Sequence, residues 1–173
     1  MRTILIFILG LVSYTCFAQI NLVPNGSFEN ITSCPNSFSQ IFLASPWWNS
    51  CSRGSIITSD LFNSCDNNFE VGVPYNFAGY QEPYDGSGYA GFIGFLGIVP
   101  EYWGENIEVK LIKTIKANAQ YRLCFQLSLA DSFVSYGLSK LRFALTADSL
   151  LSIDTSTTPI GGVLYPSLNI LDL

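Results

Sequence analysis

Tyr121-Arg122-Leu123-Cys124-Phe125-Gln126-Leu127-Ser128-Leu129 is the stretch on which the fold class turns. Tyr121, Leu123, Phe125, Leu127 and Leu129 alternate with Arg122, Cys124, Gln126 and Ser128. Successive side chains of a strand point to opposite faces, so this period of two predicts a strand with one dry and one wet face. The neighbours repeat it. Ile107, Val109 and Leu111 alternate with Glu108 and Lys110, and Leu141, Phe143 and Leu145 with Lys140, Arg142 and Ala144. Lys116-Ala117-Asn118-Ala119 reads as the turn between two of them. Antiparallel sheets with one face packed and one solvated form sandwiches. The expectation is an all-β, antiparallel β-sandwich.

Upstream, residues 89–99 are apolar on both faces, with Gly91, Gly94 and Gly97 interspersed. They read as a central strand with close neighbours. Residues 45–88 are rich in Ser, Asn, Gly, Pro and Cys and read as a long loop, functional or stapled. Residues 40–44 read as a further short strand. Residues 19–23 and 27–31 read as strand on either side of a Pro24-Asn25-Gly26 turn. No amphipathic helix, repeat or low-complexity tract is present, and the pattern loosens after Asp148.

The first eighteen residues read as a secretory signal peptide. Arg2 is followed by an apolar run from Ile4 to Val12, then by Cys16-Phe17-Ala18 as the cleavage site. The run is shorter than the roughly 20 residues of a spanning helix. Lipid attachment at Cys16 fits poorly, with Tyr14 and Thr15 before it and Ser13 at the −3 position. Residues 19–173 then form one domain. The implied location is outside the cytoplasm: cell surface, outer membrane or medium, with the periplasm as the alternative.

The chain is 49% hydrophobic, 14% aromatic and 12% charged, which argues against disorder. Its net charge is −5 and its basic residues are scattered, so nucleic acid and anionic membrane surfaces are not the expected partners. No apolar run beyond the leader reaches the length of a transmembrane helix. With no histidine, Ser-His-Asp and Cys-His catalysis and His-containing zinc sites are excluded. Cys34, Cys51, Cys65 and Cys124 remain after cleavage and allow three pairings. Cys34–Cys65 is favoured as one bridge and Cys51 is ambiguous. Cys124, inside a strand, reads as a buried free thiol.

Asn21-Leu22-Val23-Pro24-Asn25-Gly26-Ser27-Phe28-Glu29 resembles the opening of galactose-binding-like jelly rolls, a shape shared by many carbohydrate-binding modules. The series continues through Thr32-Ser33-Cys34-Pro35, Trp47 or Trp48, and Ser59-Asp60-Leu61-Phe62-Asn63-Ser64-Cys65. Val73-Pro74-Tyr75-Asn76-Phe77-Ala78-Gly79-Tyr80-Gln81, Gly88-Tyr89-Ala90-Gly91 and Ser128-Leu129-Ala130-Asp131 complete it. Together they resemble a secreted domain of Bacteroidetes-type bacteria. That domain is often attached to OmpA-like peptidoglycan-binding domains or to C-terminal sorting domains. The resemblance covers about residues 20–148. It implies a jelly roll and an envelope setting more than an activity. Leu61 stands where the family has tyrosine. The family's closing strands are not supplied by residues 159–173, so the resemblance implies a truncated domain with a missing C-terminal neighbour.

The implied function is a non-catalytic module that contacts carbohydrate or another envelope component through an aromatic, loop-rich end. The alternative is a structural accessory domain of an OmpA-like protein with no ligand of its own; a glycan-acting enzyme ranks below both. Sugar rings present apolar C–H faces that stack on aromatic planes, and polar side chains take the hydroxyls. Trp47, Trp48, Tyr75, Tyr80, Tyr84 and Trp103 are the candidate rings. Asn49, Asn76, Gln81 and Asp85 are the polar candidates. The competing reading is that these rings cap the core. In related jelly rolls the glutamate at Glu29 helps hold a structural calcium. Calcium takes six to eight oxygens, and Asp172 is a doubtful stand-in for the late aspartate of that site. Glu101, Glu105 and Glu108 are the carboxylates a hydrolase would need. Glu108 reads as solvated, Glu101 and Glu105 as lying in a turn, and Asp131 as fixing a turn.

Overall fold

The computed structural model describes residues 19–49, 59–93, 96–98, 101–103, 105–133 and 143–146. Residues 1–18, read as a leader, lie outside them, as do Cys51, Leu141 and Asp172. The described chain is all-β in character. Its strands are β1 (Asp60–Asn63), β2 (Tyr75–Asn76), β3 (Gly79–Tyr80), β4 (Gly88–Gly91), β5 (Leu96–Ile98) and β6 (Glu101–Trp103). They pair as three antiparallel two-stranded sheets, β1 with β4, β2 with β3 and β5 with β6. Two short 3-10 turns, Ile41–Leu43 and Asp131–Phe133, are the described helical elements.

The core sits on β1, within the stretch that reads as loop. Ile41, Ala44, Leu61, Phe62 and Val71 are buried, with Pro35 among them. Burying an aliphatic side chain of this size stabilises by about 1.5–3 kcal/mol. Phe62 stacks on Tyr89 at 5.0 Å and on Phe77 at 6.0 Å, and Phe38 meets Phe77 edge-on. Gly91 permits this: a Cβ there would lie 2.4 Å from the Phe62 ring. Buried Asn76 donates its amide to the Gly72 carbonyl (3.0 Å) and the Tyr89 hydroxyl (2.8 Å), and accepts from the Ala78 N–H. Buried Asn63 and Ser59 likewise find backbone partners at Cys65 and Asn106. Side-chain amides and hydroxyls let an Asn- and Ser-rich segment be a core, because each buried polar group has its hydrogen bond.

The Cys34–Cys65 disulfide is formed and joins this core to the N-terminal segment. The Pro24-Asn25-Gly26 turn is present, as is the turn at Ala117-Asn118, where Asn118 takes φ 60°.

Several expected strands take other forms. Residues 40–44 form a 3-10 turn, because Ile41 and Ala44, three apart, are both buried while Phe42 is exposed. The Gln40 carboxamide also caps the preceding Asn36 and Ser37 N–H groups. Residues 19–23 and 27–31 do not pair as strands. Asn25 and Phe28 adopt positive φ (47° and 63°), and the Phe28 N–H closes a turn on the Asn25 carbonyl. The expected strand over 89–99 is two strands in different sheets. Between them Ile93 is held by Glu105, backbone to backbone and backbone to carboxylate. Within 107–111 pairing is limited to the Trp48–Glu108 bridge. Residues 121–129 form no ladder with described residues, and Tyr121, Leu123 and Phe125 are exposed. Alternation selects a strand only where a neighbour supplies the hydrogen bonds and a second layer the burial. Phe125 meets Phe143 at 4.5 Å, and Leu145 is exposed. Cys124 is free but exposed rather than buried. Among the described residues no helix is long and apolar enough to cross a membrane.

Candidate functional site

The β2–β3 hairpin carries the most distinctive exposed surface. In a register where Tyr75 faces Tyr80 and Asn76 faces Gly79, the two tyrosines stand side by side. Their rings meet edge-on at 4.7 Å and 71°. Tyr75 is 69% exposed and Tyr80 45% exposed. The Tyr80 hydroxyl donates to Glu82 Oε1 at 2.6 Å, and this bond, with the carboxylate's negative charge, raises the phenol's pKa above its ordinary value. The Gln81 N–H closes on the Pro74 carbonyl at 2.8 Å, and the Gln81 amide donates to the Glu82 carbonyl.

The hairpin is fixed from below. Asp131, at the start of its 3-10 turn, accepts the Tyr80 N–H at 3.1 Å, and the Ser132 N–H reaches the Ala78 carbonyl at 3.0 Å. Gly79 makes the approach possible. Its φ is 127°, and a Cβ there would lie 2.6 Å from that of Asp131. The place of Asp131 in the sequence predicts that it fixes the turn that follows it; its side chain instead ties the backbone of Tyr80, 51 positions earlier. At the other end, Asn76 serves the core and is not a free polar contact.

The remaining candidates lie elsewhere. Trp47 is half-buried; its indole N–H donates to the Asn25 carbonyl at 2.7 Å and its ring packs on Phe28 at 4.9 Å. Trp48 is exposed, its backbone bridging Glu108 in both directions. Tyr84 is 74% exposed, next to exposed Asp85. Asn49 is half-buried. Trp103 lies in β6, which is described through its backbone alone.

Glu29 is a tie between the N-terminal segment and β4. Its Oε1 accepts the Ser87 N–H at 2.8 Å and the Gly88 N–H at 3.1 Å, and its carboxylate lies directly over Gly86. Among the described residues no three His, Cys, Asp or Glu side chains gather as a metal site would require.

A second carboxylate locality lies between β1 and the segment after β6. Asp60 is buried, which raises its pKa against the lowering effect of the Ser39 N–H that it accepts at 2.6 Å. Burial also pushes Glu105 up to about 7; the Ile93 N–H opposes this and the charge of Asp60 adds to it. Both carboxylates are engaged by backbone N–H groups. Glu101 opens β6 rather than lying in a turn, and Glu108 is half-buried at the Trp48 bridge.

Sequence reasoning missed Glu82 as Tyr80's partner, although its place two residues on and before Pro83 would have pointed to it. It also missed Asp60 and the role of Asn25. Comparison with protein-family models, with curated proteins and with solved structures yields no match.

Proposed function

We propose that this chain is an exported, non-catalytic cell-envelope module of β-sandwich, jelly-roll type that binds carbohydrate through exposed aromatic side chains. The observation that carries the reading is the Tyr75–Tyr80 pair: two exposed rings on a hairpin clamped by Asp131, with the carboxylate of Glu82 at one phenol. Asp131, Ser132 and the buried Asn76 hold the backbone, so the rings are presented without a large ordering cost on binding. Tyr84 and Trp48 are exposed as well, whereas Trp47 is committed to Asn25 and Phe28. The leader read in residues 1–18 and the Cys34–Cys65 bridge support an oxidising location outside the cytoplasm.

The test is affinity electrophoresis through gels holding neutral, acidic or amino polysaccharides, together with pull-down on peptidoglycan. Retention by at least one glycan, lost in Tyr75→Ala/Tyr80→Ala while the melting curve is unchanged, supports the reading. Absence of retention by any of them overturns it.

A second reading is favoured by the exposed Tyr121, Leu123 and Phe125. Exposed apolar side chains gathered in one short segment suit a structural module that packs on a neighbouring domain of an OmpA-like protein. On that reading Leu123→Lys/Phe125→Lys improves solubility and the tyrosine variants change nothing.

A further inference from the structure

We infer that the ligand of the Tyr75–Tyr80 hairpin is a glycan bearing free amino groups, held by its ammonium between the tyrosine faces and the carboxylate of Glu82. The inference rests on the binding reading above and narrows it to a ligand class.

Two independent observations carry it. The first is local. Glu82 uses Oε1 for the Tyr80 hydroxyl, and among the described residues its Oε2 takes no hydrogen bond. An acceptor that carries negative charge therefore stands beside two exposed rings whose faces attract cations. Asp131 adds a second carboxylate under the same hairpin; the Tyr89 phenol behind it has its pKa raised chiefly by burial, against the hydrogen bond from Asn76, with the charges of Asp131 and Glu82 adding in the same direction. The second observation is regional. Every charged residue between Arg53 and Lys110 is Asp or Glu. The segment that contains the hairpin thus offers no cation to an acidic sugar and repels one over the Debye length, about 10 Å at 0.1 M salt. An amino sugar satisfies both features, since its ring C–H face stacks on a tyrosine and its ammonium meets the carboxylate.

The experiment uses the mature chain, residues 19–173, and three soluble probes at mildly acidic pH: a glucosamine hexamer, the N-acetylated hexamer and hexalysine. The glucosamine hexamer is expected to bind most tightly and to weaken with added salt. Glu82→Gln keeps an acceptor for Tyr80 but removes the charge, and it should abolish the preference over the acetylated hexamer. Tyr75→Ala should weaken binding about twofold to fivefold, as for an exposed cation–π contact. Equal binding of both hexamers overturns the inference but leaves the carbohydrate reading standing. Equal binding of hexalysine overturns the sugar assignment in favour of a basic peptide. Binding of no sugar, including the neutral and acidic polysaccharides, overturns both. Thermal melts of each variant confirm that the fold persists, because Tyr75 and Glu82 are exposed.

Discussion

Replacing Asn25 should destabilise this chain strongly for a half-buried position. Its amide donates to three carbonyls, Asn30 (3.0 Å), Ala44 (3.1 Å) and Ser45 (3.0 Å), and its Oδ1 accepts the Asn30 N–H at 3.0 Å. Its own carbonyl holds the Trp47 indole and the Phe28 N–H. The residue sits at φ 47°, where asparagine is tolerated and alanine is not. The two bonds that tie distant segments, to Ala44 and Ser45, count about 1 kcal/mol each, those to exposed Asn30 being replaced by water; with about 1 kcal/mol for left-handed backbone they put Asn25→Ala at roughly 3 kcal/mol destabilising. With a urea slope of about 2 kcal/mol/M, the unfolding midpoint falls by about 1.5 M. Trp47 fluorescence is the assay, since its indole N–H bonds to Asn25 itself. Asn25→Gly keeps the backbone conformation and should recover about 1 kcal/mol of the loss. Asn25→Asp is nearly isosteric, yet it turns an anionic oxygen toward three carbonyls, so at neutral pH it should fall well below wild type. An Asn25→Asp variant as stable as wild type would refute the reasoning, as would a loss below about 0.5 kcal/mol for Asn25→Gly.

Reduction of Cys34–Cys65, or its replacement by serines, should cost about 3–4 kcal/mol for a loop of this length, read as a drop in urea midpoint. Glu105 should make stability fall as pH rises from the ordinary 4.5 toward about 7, because the folded state holds the proton more tightly than the unfolded chain does. The span is on the order of 1–2 kcal/mol after allowing for its partial exposure, and a Glu105→Gln series of melts should show a flatter profile. Asp60 acts in the same direction. Gly79→Ala should cost about 1–3 kcal/mol and release Asp131 from the hairpin, seen as loss of hydrogen-exchange protection at the Tyr80 N–H.

The sequence was most legible where one residue type dictates a local geometry. Pro24-Asn25-Gly26 and Ala117-Asn118 are turns as read, and Cys34 and Cys65 are bridged. Of the candidate rings, which could also have capped the core, Tyr80, Tyr84 and Trp48 are exposed. Alternation misled at residues 121–129, which have no partner strand among the described residues, and where a three-residue spacing hid inside an apolar run at 40–44. The core was illegible for a different reason. It is built where Asn63, Asn68 and Asn76 satisfy buried or turning backbone with their own side chains. Polar composition of that kind reads as loop. Trp47 and Trp48 are adjacent in sequence, yet one is locked to Asn25 and the other is open to solvent, a difference that only the fold assigns.

The ring resonances of the tyrosines offer the most direct test of the binding surface. Tyrosine-labelled protein, with Tyr75 and Tyr80 assigned through their Tyr→Phe variants, is titrated with an envelope glycan and followed by NMR. The account predicts saturable shifts at Tyr75 and Tyr80, with Tyr89 behind them moving less and Tyr121 not at all. Shifts confined to Tyr121, or none at any tyrosine across the glycans tried, would contradict it.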